Sequence, residues 1–133
     1  MKTYLAVVWP GDRKTAHGVW FPDIPGVFSG ADAAADIIRN AIEALELWAE
    51  DEALPEPSDA QALAARDDVR AELAKGAYLM AVPLIENDTA VVRANVTFER
   101  GMLRAIDAEA KARGLTRAAF LANAARHEIQ GTR

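Results

Sequence analysis

The sequence has 133 residues, of which 51% are apolar and 26% are charged, a composition typical of a folded globular chain that excludes a largely disordered one. The absence of cysteine excludes disulfides and thiolate metal sites, and no stretch approaches the roughly 18 consecutive apolar residues of a membrane span. Residues 1–90 carry 7 Lys and Arg against 16 Asp and Glu, whereas residues 91–133 carry 8 against 4, so the net charge of −5 divides into an acidic body and a basic tail. Because the first residues also lack the features of a secretory signal, we expect a cytoplasmic protein.

The first residues of the body predict a three-stranded antiparallel meander. Thr3–Trp9 and His17–Phe21 are rich in β-branched and aromatic residues, and the turn cluster Pro10–Asp12 ends the first of these segments. The two prolines and the glycine of Pro22–Gly26 favour a tight connection, so we expect Val27–Ser29 to return as a third strand.

A helix is predicted next, from an N-cap at Asp32 to about Glu52. Its apolar positions fall on one stripe, which we expect to pack on the sheet: Ile37, Ile38, Ala41, Ile42, Leu45 and Trp48. The prolines that follow end this helix, and Ser58 is predicted to cap a short second one.

The end of the body is predicted to be a further strand. Ala77–Ile85 is apolar enough for a strand buried on both faces, and the polar residues 86–88 follow it. Because the charge also changes sign there, we place a domain boundary at residue 88, giving domains 1–88 and 89–133.

The tail opens with Val92–Phe98, where apolar and polar residues alternate as in a strand exposed on one face. Apolar residues then recur at helical spacing up to Gly114, which suits the left-handed position after a helix end. Thr116 is predicted to cap a second helix whose buried stripe is Phe120, Leu121 and Ala124.

A lone strand leaves both edges unpaired, so we predict that it pairs with the same strand of a second chain in a homodimer, or in a tetramer where the bodies also associate. The polar face of that ribbon fits the major groove, with Arg93, Asn95 and Thr97 directed at base edges. Thr116 and Arg117, at a helix start, would hold a phosphate. The residues assigned to dimerisation are apolar: Val92, Ala94, Val96, Phe98, Leu103, Ile106, Phe120 and Leu121.

The order of strand, helix, Gly114-Leu115-Thr116-Arg117 and helix resembles the ribbon-helix-helix repressors, from Val92 to about Ile129. This resemblance implies a dimer that binds double-stranded operator DNA. Glu99-Arg100-Gly101 departs from the pattern, in which a proline and an acidic helix start are common, and we expect Gly101 to weaken the first helical turn by about 0.5 to 1 kcal/mol relative to alanine.

Four segments of the body carry a second resemblance: Phe21–Phe28, Ser29–Asp32, the helix residues Asn40–Leu45, and Leu54–Ser58. In this order they are similar to the HicB antitoxins, whose body is a shortened ribonuclease H-like sheet and helix. The resemblance implies an α+β chain in which a three-stranded antiparallel meander, a helix and a further strand precede a C-terminal ribbon-helix-helix dimerisation domain. It also implies a type II antitoxin that neutralises a HicA-like, mRNA-cleaving toxin and represses its own operon.

Few groups of the body suit catalysis. Ribonuclease H chemistry needs several carboxylates around two metal ions, but Asp12 and Asp23 lie in predicted turns and the strands between them contribute no acid. His17 has no nucleophile or acidic partner at a recognisable spacing. We therefore expect no enzyme, no metal and no cofactor.

Trp9, Trp20 and Asp23 are assigned to the toxin-binding surface, since tryptophan is enriched at protein interfaces, although a core role for each tryptophan remains open. An alternative function is a free-standing ribbon-helix-helix regulator whose body senses a small molecule, which predicts a concave apolar pocket. A residual hydrolase is the third hypothesis.

Overall fold

Four β-strands form one antiparallel sheet in the computed structural model, which describes residues 1–131. The strands are β1 (Lys2–Trp9), β2 (His17–Trp20), β3 (Phe28–Ala31) and β4 (Tyr78–Leu84), in the spatial order β3-β2-β1-β4. The predicted three-stranded meander and the further strand are confirmed, because β1 to β3 are successive neighbours and β4 pairs with the other side of β1.

Helix α1, Ile37–Ala49, packs on one face of this sheet. Its predicted apolar stripe is confirmed: four members are buried, and Ile38 and Trp48 are partly buried against the same core. Because side chains alternate across a strand, every second residue of the sheet points into this core, including Tyr4, Ala6, Val8, Val19, Val82 and Leu84.

Two predicted helix caps are wrong. Asp32 lies in a bend, and the chain forms a 3-10 turn over Ala34–Asp36 before α1 begins. Ser58 does not cap the next helix, because Asp59 has that position and its carboxylate accepts the Ala62 N–H at 2.7 Å. Aspartate and serine are both favoured at the N-cap, because each has a side-chain oxygen that can accept a backbone N–H of the first helical turn.

Two short helices, rather than one, follow the prolines. They are α2 (Ala60–Ala65) and α3 (Asp67–Ala74), separated by Arg66, whose backbone is extended. Leu63 and Val69 are fully buried, and α3 contacts β1.

β4 is buried on one face, not on both as predicted. Val82 and Leu84 are buried in the core, whereas Ala81, on the opposite face, is exposed. The physical reason is position: β4 is an edge strand, and the helix contact on the second face goes to central β1.

The chain divides into two compact units, Met1–Glu86 and Asn87–Arg133. The second unit holds α4 (Arg100–Ala112) and α5 (Arg117–Gln130), which pack on each other. Gly114 has a φ of +69°, and the N–H of the next residue, Leu115, donates to Ala110 O at 2.8 Å, so the predicted glycine helix end is confirmed.

Two details of these helices were also predicted. The cap of α5 is confirmed, since Thr116 Oγ1 accepts the Ala119 N–H at 3.1 Å. The buried stripe is only partly correct, because Phe120 and Leu121 are half-buried whereas Ala124 is exposed.

Residues 85–99 form neither helix nor strand within the single chain. The strand predicted at Val92–Phe98 is therefore not formed by intrachain pairing. Pairing with a second chain, on which that prediction rests, stays a prediction.

Candidate functional site

A pair of stacked tryptophans lies on the sheet face opposite α1. The rings of Trp9 and Trp20 have centroids 6.2 Å apart and planes inclined by 13°. Gly18, directly opposite Trp9 in the ladder, leaves room for this stack, because a Cβ there would stand 2.9 Å from the Trp9 ring. Both tryptophans are half-buried, so each keeps part of its surface accessible.

Glu72 of α3 fixes the orientation of the first ring. Trp9 Nε1 donates to Glu72 Oε2 at 2.7 Å, and this hydrogen bond lowers the pKa of the Glu72 carboxyl, with a smaller contribution from Lys75. The acid therefore stays ionised and holds the indole in place near neutral pH.

Phe28 extends the aromatic surface to the edge of the sheet. It lies directly opposite Trp20 in the β2–β3 ladder, on the same sheet face, and 63% of it is exposed. Sequence reasoning missed Phe28 as a site residue. The available signal was its alternation with Val27 and Ser29, which places Phe28 on the opposite face from the core.

The Asp23 side chain already forms hydrogen bonds within the first unit. Its two carboxylate oxygens accept hydrogen bonds from Ser58 N–H and Ser58 Oγ, both at 2.7 Å. The neighbouring Pro22 carbonyl accepts from Arg66 Nη1 at 3.0 Å. These contacts tie the proline-rich connector and the start of α3 to the loop after β2, so the Asp23 carboxylate is used within the first unit.

The other end of the connector is also anchored. Tyr4 donates its hydroxyl proton to Pro55 O, and Lys2 Nζ donates to Leu54 O at 3.4 Å and to Glu56 at 3.0 Å. Burial raises the pKa of the Tyr4 phenol, so it remains a donor. The connector is thus held at both ends against the sheet.

Every residue from 86, the last of the first unit, to 102 in the second unit is exposed. Along this stretch, large apolar side chains lie in water: Val91 (97% exposed), Val92 (84%), Val96 (67%), Met102 (56%) and Phe98 (38%). Arg93, Asn95 and Thr97, assigned to base reading, are exposed in the same segment. Of the remaining residues assigned to dimerisation, Ala94 is exposed, Leu103, Phe120 and Leu121 are half-buried, and Ile106 is buried.

Thr116 and Arg117, assigned to a phosphate site, lie at the start of α5, where some of the Arg117 donors are already used. Its Nε and Nη2 donate to the two oxygens of Asp107 on α4, each at 2.8 Å. This pairing lowers the pKa of the Asp107 carboxyl and raises that of Arg117. A guanidinium has five N–H donors, so donors remain for a second acceptor.

His17 serves the turn after β1, since its Nδ1 accepts the Gly11 N–H at 2.8 Å. Within residues 1–131, no three His, Cys, Asp or Glu side chains converge in a way that would hold a metal ion. Over the same residues, no helix has both the length and the apolar character needed to cross a bilayer.

A family model and two solved structures that match this chain all describe antitoxins. Residues 4–125 match the family model described as HicB_like antitoxin of bacterial toxin-antitoxin system. The antitoxin HicB of Burkholderia pseudomallei is 29% identical over 100% of both chains, with a TM-score of 0.52. The antitoxin HicB3 is 31% identical over 96% of this chain and 97% of that one, with a TM-score of 0.50. No curated protein shows a significant match.

These matches define the class of the protein as an antitoxin of a bacterial toxin-antitoxin system. The chain belongs to the HicB-like antitoxin family.

Proposed function

We propose that this antitoxin binds and neutralises a HicA-like, mRNA-cleaving toxin through Met1–Glu86, and represses its own operon by binding operator DNA through Asn87–Arg133. In this proposal the first unit is a shortened ribonuclease H-like fold without catalytic activity, and the second is a ribbon-helix-helix dimer. The protein acts in the cytoplasm, where its toxin and its operator are found.

The toxin-binding role is supported by charge and by aromatic surface. Residues 1–90 have a net charge of −9, which attracts a basic partner over long range. Trp9 and Trp20 offer half-buried rings that stack on each other, and tryptophan is one of the residue types enriched among interface hot spots. Asp23, which is bound to Ser58, acts by holding the connector in place.

The observation that carries the DNA-binding role is the uncovered apolar row of segment 86–102. Val92, Val96 and Phe98 recur at every second or fourth position, so in an extended chain they share one face. In a single chain Val92 is 84%, Val96 67% and Phe98 38% exposed, and an extended segment without a partner also leaves its backbone groups unpaired. A second copy, pairing about a two-fold axis, satisfies both requirements at once.

Pairing in this way presents the polar face twice. Arg93 can donate two hydrogen bonds to guanine, Asn95 can pair with adenine, and Thr97 can bond to a base edge or contact a thymine methyl. The first N–H groups of α5, beside Thr116 and the remaining donors of Arg117, suit a DNA phosphate. The excess of basic residues after residue 90 adds the sequence-independent attraction.

The dimer is tested by light scattering on the full chain with two valine variants from the same segment. Val96→Asp places a charge on the proposed shared face and is expected to yield monomers at micromolar concentration. Val91→Asp is the matched control, because Val91 lies on the opposite face and is expected to remain dimeric. Equal masses for the two variants would contradict the ribbon.

The two activities are tested with the partners themselves. The full chain is co-expressed with the small basic toxin expected to be encoded beside its gene, and growth and co-purification are measured. Rescue of growth with stable co-purification is expected. A gel-shift titration with the promoter DNA of the operon tests repression, and failure of the dimeric chain to shift it would refute the DNA-binding role.

A further inference from the structure

The outer edge of β3 offers an exposed aromatic ring and a backbone hydrogen-bonding pair at the same residue. Phe28 is 63% exposed, and β3 is one of the two edge strands of the sheet. Phe28 lies directly opposite Trp20 in the ladder and Trp20 stacks on Trp9, so three aromatic residues run from the open edge into the sheet.

The direction of the backbone groups follows from Asn40. The side-chain amide of Asn40 donates to Gly30 O at 2.9 Å, so this carbonyl is directed away from β2. In an antiparallel ladder both backbone groups of a residue point to the same side, and residues two apart are equivalent. The N–H and C=O of Phe28 therefore also point to the open edge.

The ladder between β1 and β2 independently indicates that the backbone groups of Gly30 and Phe28 point to the open edge. Trp9 is the last paired residue of β1, opposite Gly18, and Pro10 beyond it has no N–H to extend the ladder. Trp9 and Gly18 must then exchange both hydrogen bonds themselves, so the backbone groups of Gly18 and Trp20 face β1. Their cross-strand partners in β3, Gly30 and Phe28, face outward.

The opposite edge of the sheet is blocked. Pro83 lies within β4, opposite Thr3 of β1, and a proline without an N–H is tolerated in a ladder only where that position faces outward. Prolines at such positions prevent another strand from pairing there. Of the two edges, the one at β3 is therefore the one that accepts a strand.

We propose that an extended segment of the toxin adds to the sheet as a fifth strand beside β3, pairing with the N–H and C=O of Phe28 and packing a side chain against the Phe28 and Trp20 rings. This inference rests on the proposed function and specifies the surface at which the toxin is held. Main-chain pairing at a sheet edge supplies affinity, and contacts with alternate side chains supply specificity.

Charge identifies the occupant as a basic protein segment rather than a second copy of the chain. Residues 1–90 carry 16 acidic against 7 basic side chains, so two such bodies repel each other, whereas a basic strand is attracted. Acidic residues also lie next to β3, since exposed Asp32 follows it directly and α1, which packs beside it, exposes Glu43 and Glu46.

Two matched aromatic variants test the surface in the co-expressed complex. Phe28→Ser removes an exposed ring at the open edge and is expected to weaken toxin binding by about 30-fold or more, the effect of losing an interface hot spot. Tyr78→Ser is the control, because Tyr78 is 44% exposed on β4, the blocked edge, and binding is expected to change less than about twofold there. Circular dichroism of both variants shows whether they are folded.

Amide exchange separates strand addition from a contact made by the ring alone. In the complex, the Phe28 and Gly30 amides are expected to exchange at least about tenfold more slowly than in the free antitoxin, while Leu79 and Ala81 on the blocked edge are unchanged. Unchanged exchange at Phe28 would overturn the proposal.

The outcomes also distinguish this inference from the proposed function. If the wild-type chain does not bind the toxin, the proposed function fails. If the wild type binds and Phe28→Ser binds equally well, only the docking at β3 is refuted. A loss of self-association by Phe28→Ser in the absence of toxin would assign the edge to a second copy and also overturn the proposal.

Discussion

Asp107 and Arg117 form a two-point ion pair that joins α4 to α5 across the turn at Gly114. Nε and Nη2 of the guanidinium each donate at 2.8 Å to a different oxygen of the carboxylate. Both side chains are about half exposed, so the pair is accessible to solvent and to a phosphate. The same arginine therefore links α4 to α5 and lies at the proposed DNA contact.

This ion pair predicts a pH dependence of stability. The hydrogen-bonded ion pair with Arg117 lowers the pKa of Asp107 in the folded chain. The contribution of this pair to the free energy of unfolding is therefore complete above the ordinary aspartate pKa of about 4, and it is lost as the pH falls through the lower pKa of the folded state. Asp107→Asn is expected to be less stable than the wild type at pH 7, and the difference is expected to be smaller at about pH 3. Urea denaturation at fixed protein concentration measures the difference, with Glu109→Gln as the charge control. A constant difference at both pH values would contradict this account.

Arg93 is exposed in the segment proposed to read bases. Arg93→Ala is expected to weaken operator binding by about 1 to 3 kcal/mol and to relax preference at one base position, because a bidentate contact to guanine is lost. Toxin binding should be unchanged. Gel shifts with specific and scrambled DNA measure the effect, and Arg70→Ala, in the first unit, is the control. Unchanged affinity would remove Arg93 from the reading face.

The cap of α5 predicts a loss of stability without a change in base preference. Thr116→Ala removes the acceptor of the Ala119 N–H and is expected to destabilise the chain by about 1 kcal/mol. Thr116→Ser keeps that oxygen and should lie within about 0.5 kcal/mol of the wild type. Thermal unfolding of the wild type and the two variants measures these stability differences, and equal stability of all three would contradict the role of the cap.

Gly101 is a helical position at which alanine fits. Nothing lies within 4 Å of a Cβ built there, and its φ is not positive. Gly101→Ala is therefore expected to stabilise the chain by about 0.5 to 1 kcal/mol. Gly114→Ala is the opposite control, because the φ of +69° at Gly114 disfavours any side chain. A destabilised Gly101→Ala variant would mean that a second chain contacts this position.

The Ser58 hydroxyl holds the connector to Asp23. Ser58→Ala is expected to destabilise the first unit by about 1 to 2 kcal/mol, because a hydrogen bond to a carboxylate is lost. Ser58→Thr retains a hydroxyl and serves as the control. Hydrogen exchange should quicken in the loop after β2 and in the connector, and a uniform change over the whole unit would argue against a local tether.

The parts of the fold that follow from local patterns could be predicted from the sequence. The strands of the meander, the stripe of α1, the glycine after α4 and the Thr116 cap each depend on residues close in the chain. Tertiary context explains the errors. One-sided burial of β4 depends on which strand α3 contacts, and the role of Ser58 depends on Asp23, 35 residues away.

In the candidate sites, too, some features depend on residues close in the chain and others depend on tertiary contacts. The assignment of Arg93, Asn95 and Thr97 to one polar face uses only local alternation, but the pairing of Arg117 with Asp107 joins residues ten positions apart. Phe28 was missed because its significance comes from two facts that only the sheet supplies, its place on an edge strand and its neighbour Trp20.

The uncovered row from Val92 to Met102 has a consequence for gene dosage. In the proposed dimer two copies must meet to cover it, so at low abundance the concentration of dimer rises with the square of the protein's concentration. The folding of this region in such a dimer depends on how much protein is present. A promoter governed by such an assembly would respond to changes in protein level more sharply than one governed by a lone chain. The same hydrophobic residues would then make DNA binding depend on the concentration of the protein.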